Sequence, residues 1–286
     1  MISASNRAHD FDFARDPVTG SLVKLPSQAV ALIGGSASGK SVLMRRFARQ
    51  YALNGGGFIV LDPNATSGDT RERYLGIMRE AGREREFSTI DFNSREAVRE
   101  VSENTDRYGF PFLNSVKLQV RLREILESNS CMLVCLPAVH PPAINQALYG
   151  VIFDDLAVSL KERAARGENG GPFFVGLDDP FPPYAAKYAA EDLGKVPDAA
   201  EEAGIGLVFA SPAADRLTES FRTKVVLGPV RDRDIDDVWA LLTHSANDAV
   251  AACDIPTVLR SLKPREALVA DAHSLKRVEI PLWTPN

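Results

Sequence analysis

The sequence predicts an α/β protein in which helices flank a mostly parallel sheet, and three observations support this fold class. Short apolar runs such as Ala29–Ile33 and Gly57–Asp62 recur along the chain, as is typical of strands buried on both faces. Segments with helical periodicity separate these runs. Glycine and proline mark the breaks between them. Strands that alternate with helices favour parallel pairing, because a parallel neighbour requires a long crossover connection.

The elements follow in order from these signals. A small N-terminal β hairpin is predicted over residues 11–24, around a Pro-Val-Thr-Gly turn. Further strands are predicted at residues 29–33, 57–62, 86–92, 131–136, 173–177, 205–210 and 224–227, with a closing β segment at 264–282. Helices are predicted at residues 41–51, 69–81, 116–127, 143–165, 185–203, 213–221 and 235–242. Residues 93–115 are polar and poorly periodic, which predicts an irregular loop or insertion.

Composition narrows the class of protein. With 286 residues, 45% of them hydrophobic and 25% charged, the chain is neither disordered nor fibrous. A net charge of −5 argues against wrapping nucleic acid by bulk charge. No apolar run approaches the roughly 18–20 residues of a membrane span, and the N-terminus lacks the apolar core of a secretory signal. Three cysteines are too few for a disulfide framework, so we expect a cytoplasmic protein with Cys131 and Cys135 in its core.

The strongest motif is GGSASGKS at residues 34–41, which fits the phosphate-binding pattern G-x-x-x-x-G-K-[ST]. It lies between a predicted buried strand and a predicted helix, which is the setting that phosphate binding requires. Lys40 is predicted to contact the β- and γ-phosphates, and Ser41 to offer a hydroxyl to Mg²⁺. The motif therefore predicts ATP and Mg²⁺ as ligands. The predicted nucleotide-binding residues are Gly34, Gly35, Ser36, Ala37, Ser38, Gly39, Lys40 and Ser41.

A second motif, which is acidic, follows another predicted buried strand. Residues 172–179 read PFFVGLDD, so that Asp178 and Asp179 come at the carboxyl end of the strand, where open α/β sheets bind ligands. We assign Asp178 to the Mg²⁺ shell and Asp179 to the orientation or deprotonation of the attacking water. On its own the pair is equally typical of a strand end followed by a turn, and the phosphate-binding loop favours the functional interpretation.

Several segments together resemble the FtsK/HerA superfamily of DNA-pumping ATPases, and within it the TraG/TraD-type coupling proteins of type IV secretion. The resemblance spans about residues 10–283. Its segments are LPSQAVALIGGSASGKSVLMRRFARQ, GGGFIVLDPNA, LREILESNSCMLVCLPA, GPFFVGLDD, AGIGLVFASPAADRL and IPTVLRSLKPREALV.

The resemblance implies a RecA-like P-loop NTPase fold, with residues 1–25 as the hairpin segment and residues 26–286 as the ATPase domain. It implies a ring of identical subunits that hydrolyses ATP and moves DNA through a central channel. It also implies a membrane-anchored secretion or transfer partner that recruits the protein to the inner membrane. A neighbouring subunit commonly supplies an arginine to such a site, and the candidates after the sensor strand are Arg216, Arg222, Arg231 and Arg233.

The chain departs from the pattern of that family at four points. Asp179 stands where a glutamate is usual, and Ser211-Pro212 stands where a glutamine normally senses the γ-phosphate. The stretch between Lys40 and Asp178 leaves little room for an inserted helical domain, and the N-terminal anchor is missing. These departures keep a second hypothesis open, a nucleotide-dependent assembly or regulatory protein with weak or no hydrolysis. A small-molecule kinase fits poorly, because no lid or acceptor pocket is evident.

Overall fold

The computed structural model describes residues 13–23, 25, 29–63, 65, 68–95, 97, 99, 122–136, 138, 142–166, 171–178, 196–214, 216–245, 254–271 and 273–281. The strands are β1 (Ala14–Arg15), β2 (Leu22–Val23), β3 (Ala29–Ile33), β4 (Gly57–Asp62), β5 (Phe87–Asp91), β6 (Cys131–Cys135), β7 (Phe173–Asp178), β8 (Gly206–Ser211), β9 (Thr223–Leu227), β10 (Glu266–Ala270) and β11 (Leu275–Glu279).

Helices connect most of these strands. They are α1 (Lys40–Leu53), α2 (Gly68–Glu80), α3 (Leu122–Ser128), α4 (Pro142–Arg166), α5 (Val196–Glu202), α6 (Arg216–Glu219), α7 (Ile235–Ser245) and α8 (Ile255–Ser261). Two 3₁₀ turns, Glu84–Glu86 and Asp232–Asp234, precede β5 and α7. Among the described helices, none combines the length and the apolar composition that crossing a membrane requires.

The described strands form one 11-stranded sheet in the order β2-β1-β11-β10-β9-β3-β8-β7-β4-β6-β5. The seven strands from β9 to β5 are parallel, and the remaining neighbours pair antiparallel. The predicted mostly parallel sheet is therefore confirmed. The strand that precedes the phosphate-binding loop lies near the middle of the sheet, with β8 between it and β7. This order brings the carboxyl ends of β3, β8, β7 and β4 to one edge.

The central strands are buried and largely apolar because both of their faces are covered. In β3, Ala29 and Ala31 face a core formed with α3, α4 and α5, whereas Val30 and Leu32 face a core formed with α1 and α2. This alternation follows from the two-residue period of a strand. A third core, around Ile33, joins α7 and α8 to β9 and β10.

The hairpin is part of this sheet. Strand β1 pairs antiparallel with β11, and the buried Phe13 ring stacks on Phe47 of α1 with 6.2 Å between ring centroids. The guanidinium of Arg46 also donates to the carbonyl of Phe13 at 3.2 Å. The hairpin therefore packs on the helix that follows the phosphate-binding loop.

Most predicted elements are confirmed where the structure describes them. The segment at 264–282 forms β10 and β11, and the predicted edge strand at 86–92 is β5, at one end of the sheet. Helix α8 was not predicted, although Asp254 caps it by accepting a hydrogen bond from the Thr257 amide at 3.3 Å. Helix α6 spans only part of the predicted 213–221. Residues 101–121 and 185–195, and with them parts of two predicted helices and of the 93–115 segment, lie outside the described residues.

Candidate nucleotide-binding site

The loop between β3 and α1 has a backbone that its glycines make possible. A Cβ atom on Gly34 would lie 2.6 Å from the Ser38 hydroxyl oxygen and 3.2 Å from the Leu227 Cβ, so a larger residue would require its neighbours to shift. Gly39 precedes α1 with a φ of 101°, in the left-handed region that favours glycine. Ala37 also has a positive φ, of 62°. Positive φ angles of this kind are typical of the backbone cradles in which N–H groups bind anions.

Lys40, the first residue of α1, folds back over this loop. Its ammonium donates to the carbonyl of Gly34 at 2.7 Å and to that of Gly35 at 3.1 Å, and the side chain is buried. Carbonyl oxygens are neutral acceptors, whereas a phosphate oxygen carries charge and makes a stronger bond with an ammonium. Lys40 is therefore held at the position from which it can transfer to a bound phosphate.

Ser41 and Asp178 meet beside this lysine. Burial raises the pKa of the Asp178 carboxyl, and the hydrogen bond from the Ser41 hydroxyl, together with the charges of Lys40 and Arg45, opposes that rise. Hydroxyl and carboxylate oxygens are the ligands that Mg²⁺ prefers. This donor set fits the predicted metal. Among the described residues, no group of three or more His, Cys, Asp or Glu side chains could hold a metal ion.

A second carboxylate, Asp62, lies beside Asp178. Leu61 of β4 pairs with Leu177 of β7, so the next residue of each strand is an aspartate at the same edge of the sheet. Both aspartates are buried. Burial raises the pKa of the enclosed Tyr74 hydroxyl well above its ordinary value. The charges of Asp178 and Asp62 add to this rise, and the charge of Arg45 opposes it. Asp62 was not among the predicted site residues, although it ends a buried strand just as Asp178 does.

The sensor position at the end of β8 is tied to the phosphate-binding loop. The amide of Gly34 donates to the carbonyl of Ser211 at 3.2 Å, and the Ser211 hydroxyl donates to the carbonyl of Ala213 at 2.8 Å. Pro212 is exposed and offers no side-chain donor. The end of β8 is therefore joined to the loop through a backbone hydrogen bond.

The candidate arginines lie in different places. Arg222 precedes β9, at the edge opposite the loop, and contacts Asp198 and Glu201 of α5 at 3.8 and 3.2 Å. Arg231 lies beside Gly35, and Arg233 is 74% exposed, with 3.6 Å between its Nε and a carboxylate oxygen of Asp234. Arg216 is in α6. Its side chain lies outside the described residues, and so does Asp179.

The buried cysteines have no place in this site. Burial raises the pKa of the Cys131 and Cys135 thiols to about 11 in each case, so both are protonated at neutral pH. Both are free and lie in the core of β6. The prediction that they are core residues is confirmed.

Comparison with known proteins identifies the fold. No family model matches the sequence, and no curated protein matches it. The structure is similar to VirB4 of Thermoanaerobacter pseudethanolicus, with a TM-score of 0.61 at 11% identity, over 96% of this chain and 96% of that one. It is also similar to the plasmid coupling protein TrwB in complex with the GTP analogue GDPNP, with a TM-score of 0.57 at 14% identity, over 98% of this chain and 92% of that one. The chain therefore has the RecA-like P-loop NTPase fold that VirB4 and TrwB share, as the resemblance to the FtsK/HerA superfamily predicts.

Proposed function

We propose that this protein is a Mg²⁺-dependent ATPase that works as a DNA-moving motor related to conjugative transfer and type IV secretion. The observation that carries the proposal is the buried Lys40 ammonium, which rests on the carbonyls of Gly34 and Gly35, with the side chain of Ser41 close enough to the buried Asp178 carboxyl to lower its pKa. This arrangement brings together a hydroxyl and a carboxylate from two separate sequence motifs next to a phosphate-binding loop. The fold shared with VirB4 and TrwB supports the motor class.

The roles of the residues follow from their chemistry. The loop amides bind phosphate oxygens, and Lys40 leaves the carbonyls of Gly34 and Gly35 for the more strongly attracting phosphates. Ser41 and Asp178 are the residues that would hold Mg²⁺, which neutralises charge that develops on the phosphates. Asp179 orients or deprotonates the attacking water. The buried Ser38 hydroxyl has no hydrogen-bond partner among the described residues, which further supports a bound ligand in the cradle.

Assembly and location complete the proposal. We infer a ring of identical subunits, a local basic surface that contacts DNA, and a cytoplasmic protein recruited to the inner membrane by an anchored partner. The basis is the resemblance stated above, together with the shared fold. Solution mass with ATP and Mg²⁺, with and without DNA, tests the ring.

Turnover measurements test the motor. We expect ATP hydrolysis that requires Mg²⁺ and rises on addition of double-stranded DNA, and a loss of at least about 100-fold in Lys40→Ala. Arg49→Ala is the matched control, because Arg49 is a cation of the same helix that pairs with Glu80, away from the loop. Bound nucleotide without turnover under any condition would rule out the motor.

The second candidate is a nucleotide-dependent assembly or regulatory protein. Pro212 favours it, since this residue of the sensor position has no hydrogen-bonding side chain. This function predicts an ATP-dependent change in mass or partner affinity that persists in Asp179→Asn. If ATP changes neither quantity, this candidate fails.

A further inference from the structure

The chain that follows β9 returns to the phosphate-binding loop. Strand β9 is parallel to β3, with Val226 opposite Ile33, so both strands end at the same edge of the sheet. A Cβ atom on Gly34 would stand 3.2 Å from the Cβ of Leu227, so the end of β9 lies against the loop. The residues after Leu227 therefore lie beside the loop of the same subunit.

Arg231 occupies this position. Its Nε is the heavy atom nearest to where a Cβ of Gly35 would stand, at 3.9 Å. No side chain separates the two residues, because Gly35 has none. A guanidinium thus borders the second residue of a loop whose backbone is arranged for phosphate.

Asp234 holds Arg231 in this place. The Arg231 Nε contacts a carboxylate oxygen of Asp234 at 2.5 Å, and the Asp234 amide donates to the Arg231 carbonyl at 2.8 Å. The Arg231 side chain is 49% exposed, and ion pairs this accessible to water are weak. A nucleotide phosphate, with more charge and a geometry that suits a guanidinium, competes well with one carboxylate.

We propose that Arg231 binds the phosphates of a nucleotide in its own subunit, and that Asp234 is its counter-ion while the site is empty. This inference rests on the proposed nucleotide binding. It gives Arg231 a role in cis, whereas the family resemblance implies an arginine supplied by a neighbouring subunit. Arrival of nucleotide exchanges the Arg231–Asp234 pair for an Arg231–phosphate pair and so couples the loop to the turn that opens α7.

Binding of a fluorescent non-hydrolysable ATP analogue tests the proposal, at dilutions where the measured mass is that of a monomer. We expect Arg231→Ala to weaken binding about tenfold or more. Asp234→Asn frees the guanidinium and is expected to strengthen binding a few-fold. Arg260→Ala is the matched control, because Arg260 is a 58% exposed arginine paired with Asp232 of the same turn, and it should bind as the wild type does.

Three outcomes would overturn the proposal. Arg231→Ala could bind the analogue as tightly as the control does. Its defect could appear only in oligomers and be restored by mixing with Lys40→Ala subunits, which would show that Arg231 acts in trans. If the wild type binds no analogue at all, the proposed function fails as well, whereas in the first two outcomes nucleotide binding stands.

Discussion

The polar side chains at the two edges of the parallel sheet are held in different ways. At the amino edge, the guanidinium of Arg83 binds the carbonyls of Gly56 and Asn129, and the amide of Asn129 bonds the backbone at Gly55 and Gly57. Arg163 of α4 donates to the carbonyls of Leu126 and Gly171 at 2.7 and 3.0 Å. These side chains join the ends of helices and strands to each other.

At the carboxyl edge the buried groups carry charge and lie close together. Lys40 rests on loop carbonyls, Asp178 has a raised pKa because burial penalises its charge, and Asp62 lies next to it. The charge of Asp178 costs stability in the absence of a ligand, since burial removes it from water. The contrast indicates that the amino edge stabilises the fold and that the carboxyl edge is preorganised for a ligand.

The largest expected effect on stability is at the amino edge. Arg163→Ala leaves the buried carbonyl of Leu126 and the carbonyl of Gly171 without this donor and removes the cation that lies 5.6 Å from the centre of the Phe173 ring. We expect the free energy of unfolding to fall by about 3 kcal/mol, measured by urea denaturation. Nucleotide affinity of the folded protein should not change.

Arg123→Ala is the control for this substitution. Arg123 pairs with Glu127 and Glu162 on the same two helices but is 56% exposed, so its loss should cost under about 1 kcal/mol. Equal losses in the two variants, or weakened nucleotide binding in Arg163→Ala, would contradict the division between the two edges.

Lys224 lies near the amino end of β9, far from the loop, and its buried charge is incompletely compensated. It therefore extends the comparison between the two edges. Its ammonium donates to the Phe221 carbonyl at 2.6 Å, and burial lowers its pKa from 10.5 to about 8. Between these values the unfolded chain keeps a proton that the folded protein has released. Stability contributed by this group therefore rises with pH from about 8 to about 10.5.

We expect Lys224→Met to remove that rise, which amounts to about 2–3 kcal/mol. The measurement is the free energy of unfolding of both proteins across this pH range. The buried Cys131 and Cys135 thiols, whose pKa values are raised to about 11, act in the opposite direction. They are present in both proteins and cancel in the difference. Parallel pH profiles would show that Lys224 titrates normally.

The smallest expected effect has the opposite sign and belongs to the carboxyl edge. Because burial raises the pKa of Asp178, its ionised form destabilises the folded state at neutral pH. Asp178→Asn should therefore raise the free energy of unfolding by about 1 kcal/mol while it abolishes Mg²⁺-dependent turnover. If the thermal midpoint of Asp178→Asn is lower than that of the wild type, the carboxylate of Asp178 does not lower the stability of the folded protein and the prediction is wrong.

Much of the fold and of the site could be predicted from local patterns. The buried strands appear as apolar runs, and the GGSASGKS motif lies between the predicted strand and helix. Asp178 was found because a carboxylate that ends a buried strand is visible in the sequence. Helix α8 was missed although Asp254 and a proline in its first turn mark its start, which shows that the signal was present.

What the sequence determined by itself is the chemistry available at the loop, because the residues from Gly34 to Ser41 that supply it are neighbours in the chain. The tertiary structure alone decided the contacts between distant segments. Strand order brings Asp178 to Ser41 and Asp62 to Asp178, and the parallel pairing of β9 with β3 carries Arg231 to Gly35. The sequence contains several arginines that could equally well contact the phosphates. Only the register of the sheet distinguishes them, because it depends on packing across the whole molecule.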